Sequence, residues 1–486
     1  MGRIIPNAAN QAPTRSGCSP LAGNHGGDGA PLRGPRRRPA PSSDGDMSVK
    51  RDEAKTLAST RLMSLPDGFM RKDNGIWFNP KGEGTTPFHV CGPLNVVAQT
   101  RDDFGTAWGY RLEWPDDDGH SHHWAMPKSL LAGDGAEIRA TLLDGGCFVS
   151  PAKHARAKLM ELLSTVKVEA RARAVSRVGW ANGAFALPDR TIGGTPENQV
   201  IYQGAEAFDH AYRAKGDLSG WQNNIARRCV GNSRMILAIA AGFVGPLLTL
   251  VGEEGPGINL RGPSSIGKST ALIAAASIWG PAAFVRQWRA TANGLEGVCV
   301  QHNETLLCLD ELAQLDGREA GHVAYLIANG MGKARANRSG ALRSPHQWNV
   351  TFLSSGEISL ADLAGRDARG AKRSAAGQEV RILDCEADAG MGLGLFETLH
   401  DAPSAEALAR SIKDGAAQTH GTAGPAFVER IIASSDDLAP SVKAEIDAFV
   451  ADNLPPQANG QVARAARRFG LIAAAGELAV RLEILS

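Results

Sequence analysis

The sequence predicts an α/β core, a parallel sheet with flanking helices, preceded by a β-rich α+β domain and followed by a helical C-terminal region. Two motifs predict the core. The first is Gly262-Pro263-Ser264-Ser265-Ile266-Gly267-Lys268-Ser269-Thr270, which fits the pattern Gly, four residues, Gly-Lys-Ser. Ile258-Asn259-Leu260 ahead of it can be a short feeding strand, and Thr270 to Ala276 behind it is rich in strong helix formers. Backbone N–H groups of such a loop point inward and the next helix presents its positive end, so the site attracts a triphosphate. Gly262 and Gly267 permit the tight backbone path.

The second motif is Glu304-Thr305-Leu306-Leu307-Cys308-Leu309-Asp310-Glu311. Its unbroken apolar run suggests a strand buried on both faces. An acidic cap on a helix starting near Leu312 would look the same in isolation. Beside the phosphate loop, the nucleotide reading prevails, and the core is expected to be a P-loop NTPase core that binds ATP and Mg²⁺. Lys268 would contact the β- and γ-phosphates, with Ser269 and Asp310 holding the metal. Glu311 would polarise the attacking water. Pro263, Ser264, Ser265, Ile266 and Thr270 complete the expected nucleotide cradle. Asn349 to Leu353 reads as a third strand running into Ser354-Ser355-Gly356-Glu357. In ring-forming P-loop ATPases the strand beside the acidic one ends in a polar γ-phosphate contact. Ser354 or Ser355 fits that role, and a plain strand-ending turn fits the same letters.

Bulk composition sets limits. The 486 residues are 43% apolar and 21% charged, ordinary for a globular protein. A net charge of +1 means that any nucleic-acid surface must be local. The seven cysteines are scattered without a CxxC pair, so reduced thiols in a cytoplasmic protein are expected, not a disulfide or zinc framework. The N-terminus shows no signal-peptide core. Met235 to Gly252 is almost wholly apolar, but Gly242, Gly245 and Pro246 interrupt it. Buried helices under the sheet are expected there, and no membrane partner.

Residues 1–50 have the Gly, Pro, Ala, Arg and Ser content of a disordered tail, and Met47 offers an alternative start. Residues 60–205 form the β-rich accessory domain. Trp108–Trp114 and His122–Met126 read as a hairpin across an acidic turn, with His120, His122 and His123 near three Asp residues. Arg177–Trp180 and Phe185–Pro188 read as another across Asn182-Gly183. Ala152 to Val166 has helical spacing. The ATPase core is expected over 225–398 and a helical lid or bundle over 400–486.

Between His322–Asn329, which looks helical, and the third strand lies a basic stretch containing Lys333, Arg335, Arg338 and Arg343, with no acid from 330 to 343. Such a hairpin can track a phosphate backbone, or it can be a solvated loop. Arg366, Arg369, Lys372, Arg373 and Arg381 offer candidates for an arginine finger supplied to a neighbouring subunit, with Arg381 best fixed, beside Ile382-Leu383. Ser404 is expected to cap a helix through Ile412, followed by helices over Pro425–Ile432 and Val462–Ile484.

Several segments in this order resemble a bacterial and phage family known as domain of unknown function 927. They are Ser176–Trp180, Gly262–Thr270, Trp288–Glu296, Leu307–Glu311, Gly332–Arg335, Ser354–Glu357 and Gly377–Arg381. The resemblance covers roughly residues 65–485. It implies a mobile-element or prophage setting, often near replication functions, and a helicase-like ATPase. The expected partners are single-stranded DNA and further copies of the chain in a ring. The competing expectation is a nucleotide-gated loader or regulatory switch without helicase activity. The abrupt end at Leu485-Ser486 suggests a shortened helical end. Within Trp288–Glu296, Thr291 or Asn293 can cap a helix, or Arg289 or Glu296 can approach the nucleotide or a neighbour.

Overall fold

Alternating apolar and polar residues place the N-terminal part of the chain in strands with one buried face. In the computed structural model, residues 63–485 are described except 83, 196–198, 205–209, 290, 334, 337–341, 344, 367–381 and 435–436. The expected tail over 1–50 therefore lies outside the described residues, as do Arg338 and Arg381.

Strands β1 (Phe69–Lys72), β2 (Gly75–Phe78) and β3 (Phe88–Cys91) form an antiparallel sheet. Strands β4 (Asn95–Arg101), β5 (Gly109–Pro115) and β6 (Ser121–Pro127) follow as a meander. The last two are the expected hairpin, closed by Gly119 at φ +82°. The Asp116 carboxylate there accepts from the His122 ring at 2.9 Å. That bond is the main cause holding its pKa down at about 2. Among the described residues no group of three or more potential metal ligands comes together.

Helices α1 (Ala136–Asp144) and α2 (Lys153–Thr165) come next, and Leu159, Leu162 and Leu163 of α2 are buried in the local core with Trp114 and Met126. Strand β7 (Arg171–Val175) then runs parallel to β4. Strands β8 (Gly179–Ala181), β9 (Ala184–Ala186) and β10 (Thr191–Gly193) make a small antiparallel sheet, and β11 (Gln199–Tyr202) joins β7, giving a five-stranded order β11-β7-β4-β5-β6. Asn182 and Gly183 sit at φ +50° and +78°, the positive pair that a type I′ turn requires.

Helix α3 (Ser233–Val244) is apolar after Arg234, and Met235 and Ala238 to Val244 are buried. Pro246 cannot donate to Gly242 O four residues back. The Trp279 indole N–H takes that carbonyl at 2.9 Å, and the Trp180 indole takes the Pro246 carbonyl at 2.7 Å. Two carbonyls at the predicted break are thus bonded, and most of the stretch lies in the core, with Ile236 and Thr249 exposed.

The central sheet follows. It comprises β12 (Gly257–Arg261), β13 (Val285–Gln287), β14 (Leu306–Asp310), β17 (Thr351–Gly356) and β18 (Ile382–Glu386), all parallel, in the order β13-β14-β17-β12-β18. Leu306–Leu309 and all of β17 are buried, as expected for a sheet covered on both faces. Helices α4 (Lys268–Ala276), α5 (Ala292–Gln301), α6 (Gly317–Asn329) and α7 (Leu360–Arg366) flank it. Between α6 and β17, β15 (Arg335–Ala336) and β16 (Leu342–Arg343) pair antiparallel, so the basic stretch is a hairpin.

Helices α8 (Ala405–Gln418), α9 (Ala423–Ala433), α10 (Leu438–Asn453) and α11 (Gly460–Arg481) form the C-terminal region. Ser404 caps α8 by accepting from Ala407 N at 3.1 Å. Leu471, Ala475 and Leu478 of α11 share one core with Met235, Ile239 and Phe243 of α3. At the polar side of α11, Arg467 bonds Glu253 and Asp447. Phe185 and Ile192, read from sequence as part of the accessory region, also enter this large core.

Candidate functional site

The central cleft arises because β12, β14 and β17 end side by side, each handing its chain to a turn at the same edge. After Arg261 the chain enters the glycine-bounded loop, held to the neighbouring strand by Gly262 N donating to Gly356 O at 3.1 Å. Gly267 sits at φ +105°, a conformation that L side chains rarely adopt, and a Cβ there would lie 3.3 Å from Leu395 Cβ. Ser265 also has positive φ, +66°. Gly267 offers α4 no side-chain cap; Thr270 N donates to Gly267 O at 2.9 Å, and the N–H groups of Lys268 and Ser269 ahead of it face no side-chain acceptor from the cap.

Lys268 begins α4. Its Nζ donates to Gly262 O at 2.8 Å and Pro263 O at 2.5 Å, so the ammonium curls over the loop. One residue on, Ser269 Oγ donates to Asp310 Oδ2 at 3.1 Å. Asp310, at the end of β14, accepts on its other oxygen from Ser355 Oγ. Two hydroxyls and a carboxylate therefore converge. The next residue, Glu311, has φ +65° and lines the cleft. Its carboxylate makes no hydrogen bond to a described residue, whereas its backbone N lies 3.1 Å from Asp310 Oδ1. A non-glycine residue in that backbone region is strained, which is a feature often kept where a side chain must be aimed.

The cleft has a volume of about 490 Å³. Residues Ser264 to Thr270, Asp310, Glu311 and Ser355 all line it, so the predicted phosphate-loop and acidic residues are brought together. Gly262 and Pro263 stand at its margin through their carbonyl bonds to Lys268. Of the two serines left open by the sequence, Ser355 faces the cleft. Ser354 is fully buried and accepts from the Trp288 indole N–H at 2.8 Å. The strand runs on through Gly356, with this indole satisfying the Ser354 hydroxyl inside the sheet.

Sequence reasoning missed two contributors. Gly392, Leu393, Gly394 and Phe396 form one wall, pinned by Leu395 N donating to Ile266 O at 2.9 Å. Helix α8 supplies the opposite rim with Glu406 and Lys413. The Gly390-Met391-Gly392-Leu393-Gly394 spacing was the available signal for the wall. The rim had none, since it reaches the cleft only through packing.

Glu296 does not line the cleft. It is buried, and its Oε1 accepts from Lys333 N at 3.2 Å, fixing the base of the basic hairpin. Thr291, not Asn293, caps α5 by accepting from Gly294 N. Arg289 is likewise not among the lining residues. The backbones of Arg335 and Arg343 pair directly across the hairpin, and Lys333 is exposed at its base.

A glycine-bounded loop between a parallel strand and a helix, facing carboxylates on a nearby strand end, defines the class as an α/β protein with a ligand cleft at the carboxyl edge of its sheet. The chain belongs to the family described as "Domain of unknown function (DUF927)", whose model matches residues 69–347. It is similar in fold to a solved structure described as "SCCmec type IV Cch - active helicase", with a TM-score of 0.63 and 18% identity. That likeness covers 87% of this chain and 76% of the other. No curated protein matches.

Proposed function

We propose that this chain is an ATP-driven motor on nucleic acid, a helicase or translocase of a phage or other mobile element, working in the cytoplasm. One observation carries the reading: Ser269 Oγ donates to Asp310 Oδ2 in the same cleft that holds Lys268 and Glu311. That arrangement is what a magnesium-chelated triphosphate needs. The donor set is all oxygen, from Ser269, Asp310 and Ser355, which suits a hard divalent cation. Mg²⁺, when bound, would neutralise phosphate charge. The chain's own groups do the rest. Loop N–H groups from Ser264 to Thr270 bind phosphate oxygens, and Lys268 leaves its loop carbonyls to meet the β- and γ-phosphates. Glu311 orients a water and accepts its proton, while Ser355 hydrogen-bonds the γ-phosphate.

Residues 225–398 serve in this reading as the motor core, 400–486 as a lid, and 60–205 as an accessory domain. Helix α8 lines the cleft, so in this reading loss of the γ-phosphate shifts the lid and moves the basic hairpin. Lys333, Arg335, Arg338 and Arg343 contact the phosphate backbone of single-stranded DNA. Arg381 completes the neighbour's site in a ring. The similarity to a helicase-described structure supports the reading at the level of fold.

The rim from Glu406 and Lys413 also suits a nucleotide-gated switch that changes shape without moving along a strand. ATP turnover with and without single-stranded DNA separates the two readings, using Lys268→Ala and Glu311→Gln as controls. Strong stimulation with strand separation is expected for the motor. Unstimulated turnover with tight nucleotide binding would favour the switch.

A further inference from the structure

The nucleic-acid reading lacks stacking residues in the basic hairpin, where none of Lys333, Arg335, Arg338 and Arg343 has an aromatic neighbour in sequence. The accessory sheet supplies them. At one end of neighbouring strands β7, β4, β5 and β6, the Trp108 ring stands 37% exposed. Three cations surround it: Arg101 Cζ at 5.9 Å, Lys128 Nζ at 5.6 Å and Arg171 Cζ at 5.7 Å from the ring centroid. Register explains the gathering. Gln99 pairs with Arg171, Thr100 with Gly109, and Gly109 with Pro127, so Arg101, Trp108, Lys128 and Arg171 fall at one sheet end.

None of the three cations pairs with a carboxylate among the described residues. Arg171 donates to the carbonyls of Val168 and Glu169, and Lys128 to Gln99 Oε1 at 3.2 Å. The nearby acids are occupied elsewhere. Asp103 pairs with Arg173, and Asp102 accepts from Phe104 N at 3.1 Å and Thr106 N at 2.6 Å. Burial first, then the Arg171 charge, holds the Lys128 ammonium below its usual pKa.

The Asp102 bonds also shape the turn that follows β4. Thr106 O accepts from Asp102 N at 3.0 Å, and the Trp108 indole donates to Gly105 O at 2.9 Å. This turn, between Arg101 and Trp108 in sequence, leaves Phe104 90% exposed. A flat ring fixed at its edge, a second ring on a closed turn and unneutralised cations are what a single strand needs: faces for bases and charges for phosphates.

We propose that Trp108 and Phe104, with Arg101, Lys128 and Arg171, form a second nucleic-acid site that stacks bases of a single strand on the accessory sheet. It rests on the nucleic-acid reading above for the class of partner, and it adds a place of contact remote in sequence from the basic hairpin. Trp108 would take a base on its exposed surface, Phe104 a further base, and the three cations the neighbouring phosphates. Duplex, whose bases are already stacked on each other, would gain only the charge contacts.

The test is equilibrium binding of fluorescein-labelled oligothymidine and oligouridine to the full chain, by anisotropy, with no nucleotide or Mg²⁺ present. Trp108→Ala is expected to weaken single-strand binding about tenfold and duplex binding much less. Trp108→Phe is expected to restore most of the loss. Arg171→Ala should reduce the slope of log affinity against log salt by about 0.7, the value for one phosphate contact on a single strand. Thermal melting of each variant at the wild-type temperature shows that the fold is kept. Wild-type binding that Trp108→Ala leaves untouched would overturn the inference, as would equal losses for single strand and duplex. Competition by polyglutamate as strong as by oligonucleotide would overturn it too, in favour of an acidic protein partner. Absence of any oligonucleotide binding by the wild type would instead remove the nucleic-acid reading and this site with it. Because the assay holds no nucleotide, a failure of triphosphate binding leaves it unaffected.

Discussion

Ser269 Oγ donates to Asp310 Oδ2 at 3.1 Å, tying the first turn of the helix behind the glycine-bounded loop to a strand end 41 residues later. Asp310 also takes the Ser355 hydroxyl, so three chain segments meet on one carboxylate. The positions of Lys268 and Glu311 on either side give this meeting point its chemical direction. Replacing Asp310 with Asn keeps the shape and removes the charge. The expected result is loss of Mg²⁺-dependent nucleotide affinity with little change in melting temperature, read by calorimetric titration and thermal melting.

Glu311 separates binding from turnover. Its carboxylate lines the cleft without a hydrogen bond to a described residue, and its backbone is held at φ +65°. Glu311→Gln should bind ATP as the wild type does and lose turnover by about a hundredfold or more, within the range for removing a general base. A variant that loses affinity instead would show that the side chain holds the ligand or the fold, not a water.

Glu304 fastens the accessory hairpin to the core. Its Oε2 accepts from Trp180 N at 2.6 Å, and its Oε1 from the Thr249 hydroxyl. Burial pushes its pKa up, while those two bonds partly oppose the shift. Glu304→Ala leaves two donors without an acceptor and should cost about 2 kcal/mol in urea denaturation. Gly179→Ala tests the same joint from the other side. Its Cβ would fall 2.1 Å from Glu304 Oε2 at a backbone φ of +114°, so a comparable or larger loss is expected.

His302 makes stability depend on acid. Burial lowers its pKa from 6.5 to about 3, and its Nδ1 donates to the Leu306 carbonyl at 2.9 Å. The unfolded chain binds a proton near the ordinary value and the native one does not. The stabilising term is therefore present above 6.5 and is lost as pH falls toward 3. Between neutrality and about pH 5 this single group should remove about 2 kcal/mol. Urea midpoints against pH read the slope, which should flatten in His302→Gln. His210, lowered to about 4 by burial and the Arg213 charge, adds in the same direction.

The cleft was legible because its main residues are close in sequence or end one short strand. Gly262 to Thr270 fixes a loop by local backbone demands, and Leu306 to Glu311 announces a buried strand with charges at its end. The type I′ turn at Asn182-Gly183 and the cap at Ser404 are likewise local chemistry. What escaped depends on packing between distant segments. Nothing near Glu406 or Lys413 in sequence says that α8 borders the cleft, and nothing near Glu296 says that it accepts from Lys333 N. Ser354 and Ser355 are neighbours in sequence, yet alternation in β17 sends one to Trp288 and the other to Asp310. Trp108 carries no signal in sequence either, because its cations arrive on three other strands or their ends.

Titration of a fluorescent ATP analogue into the wild type and into Lys268→Ala, each with Mg²⁺ and with excess chelator, bears on the cleft most sharply. Saturable binding to the wild type that weakens at least about tenfold on chelation, and is lost in Lys268→Ala, is the expected outcome. Equal affinity in all four arms, or none for any nucleoside triphosphate, would mean that Ser269 and Asp310 meet for structural reasons alone.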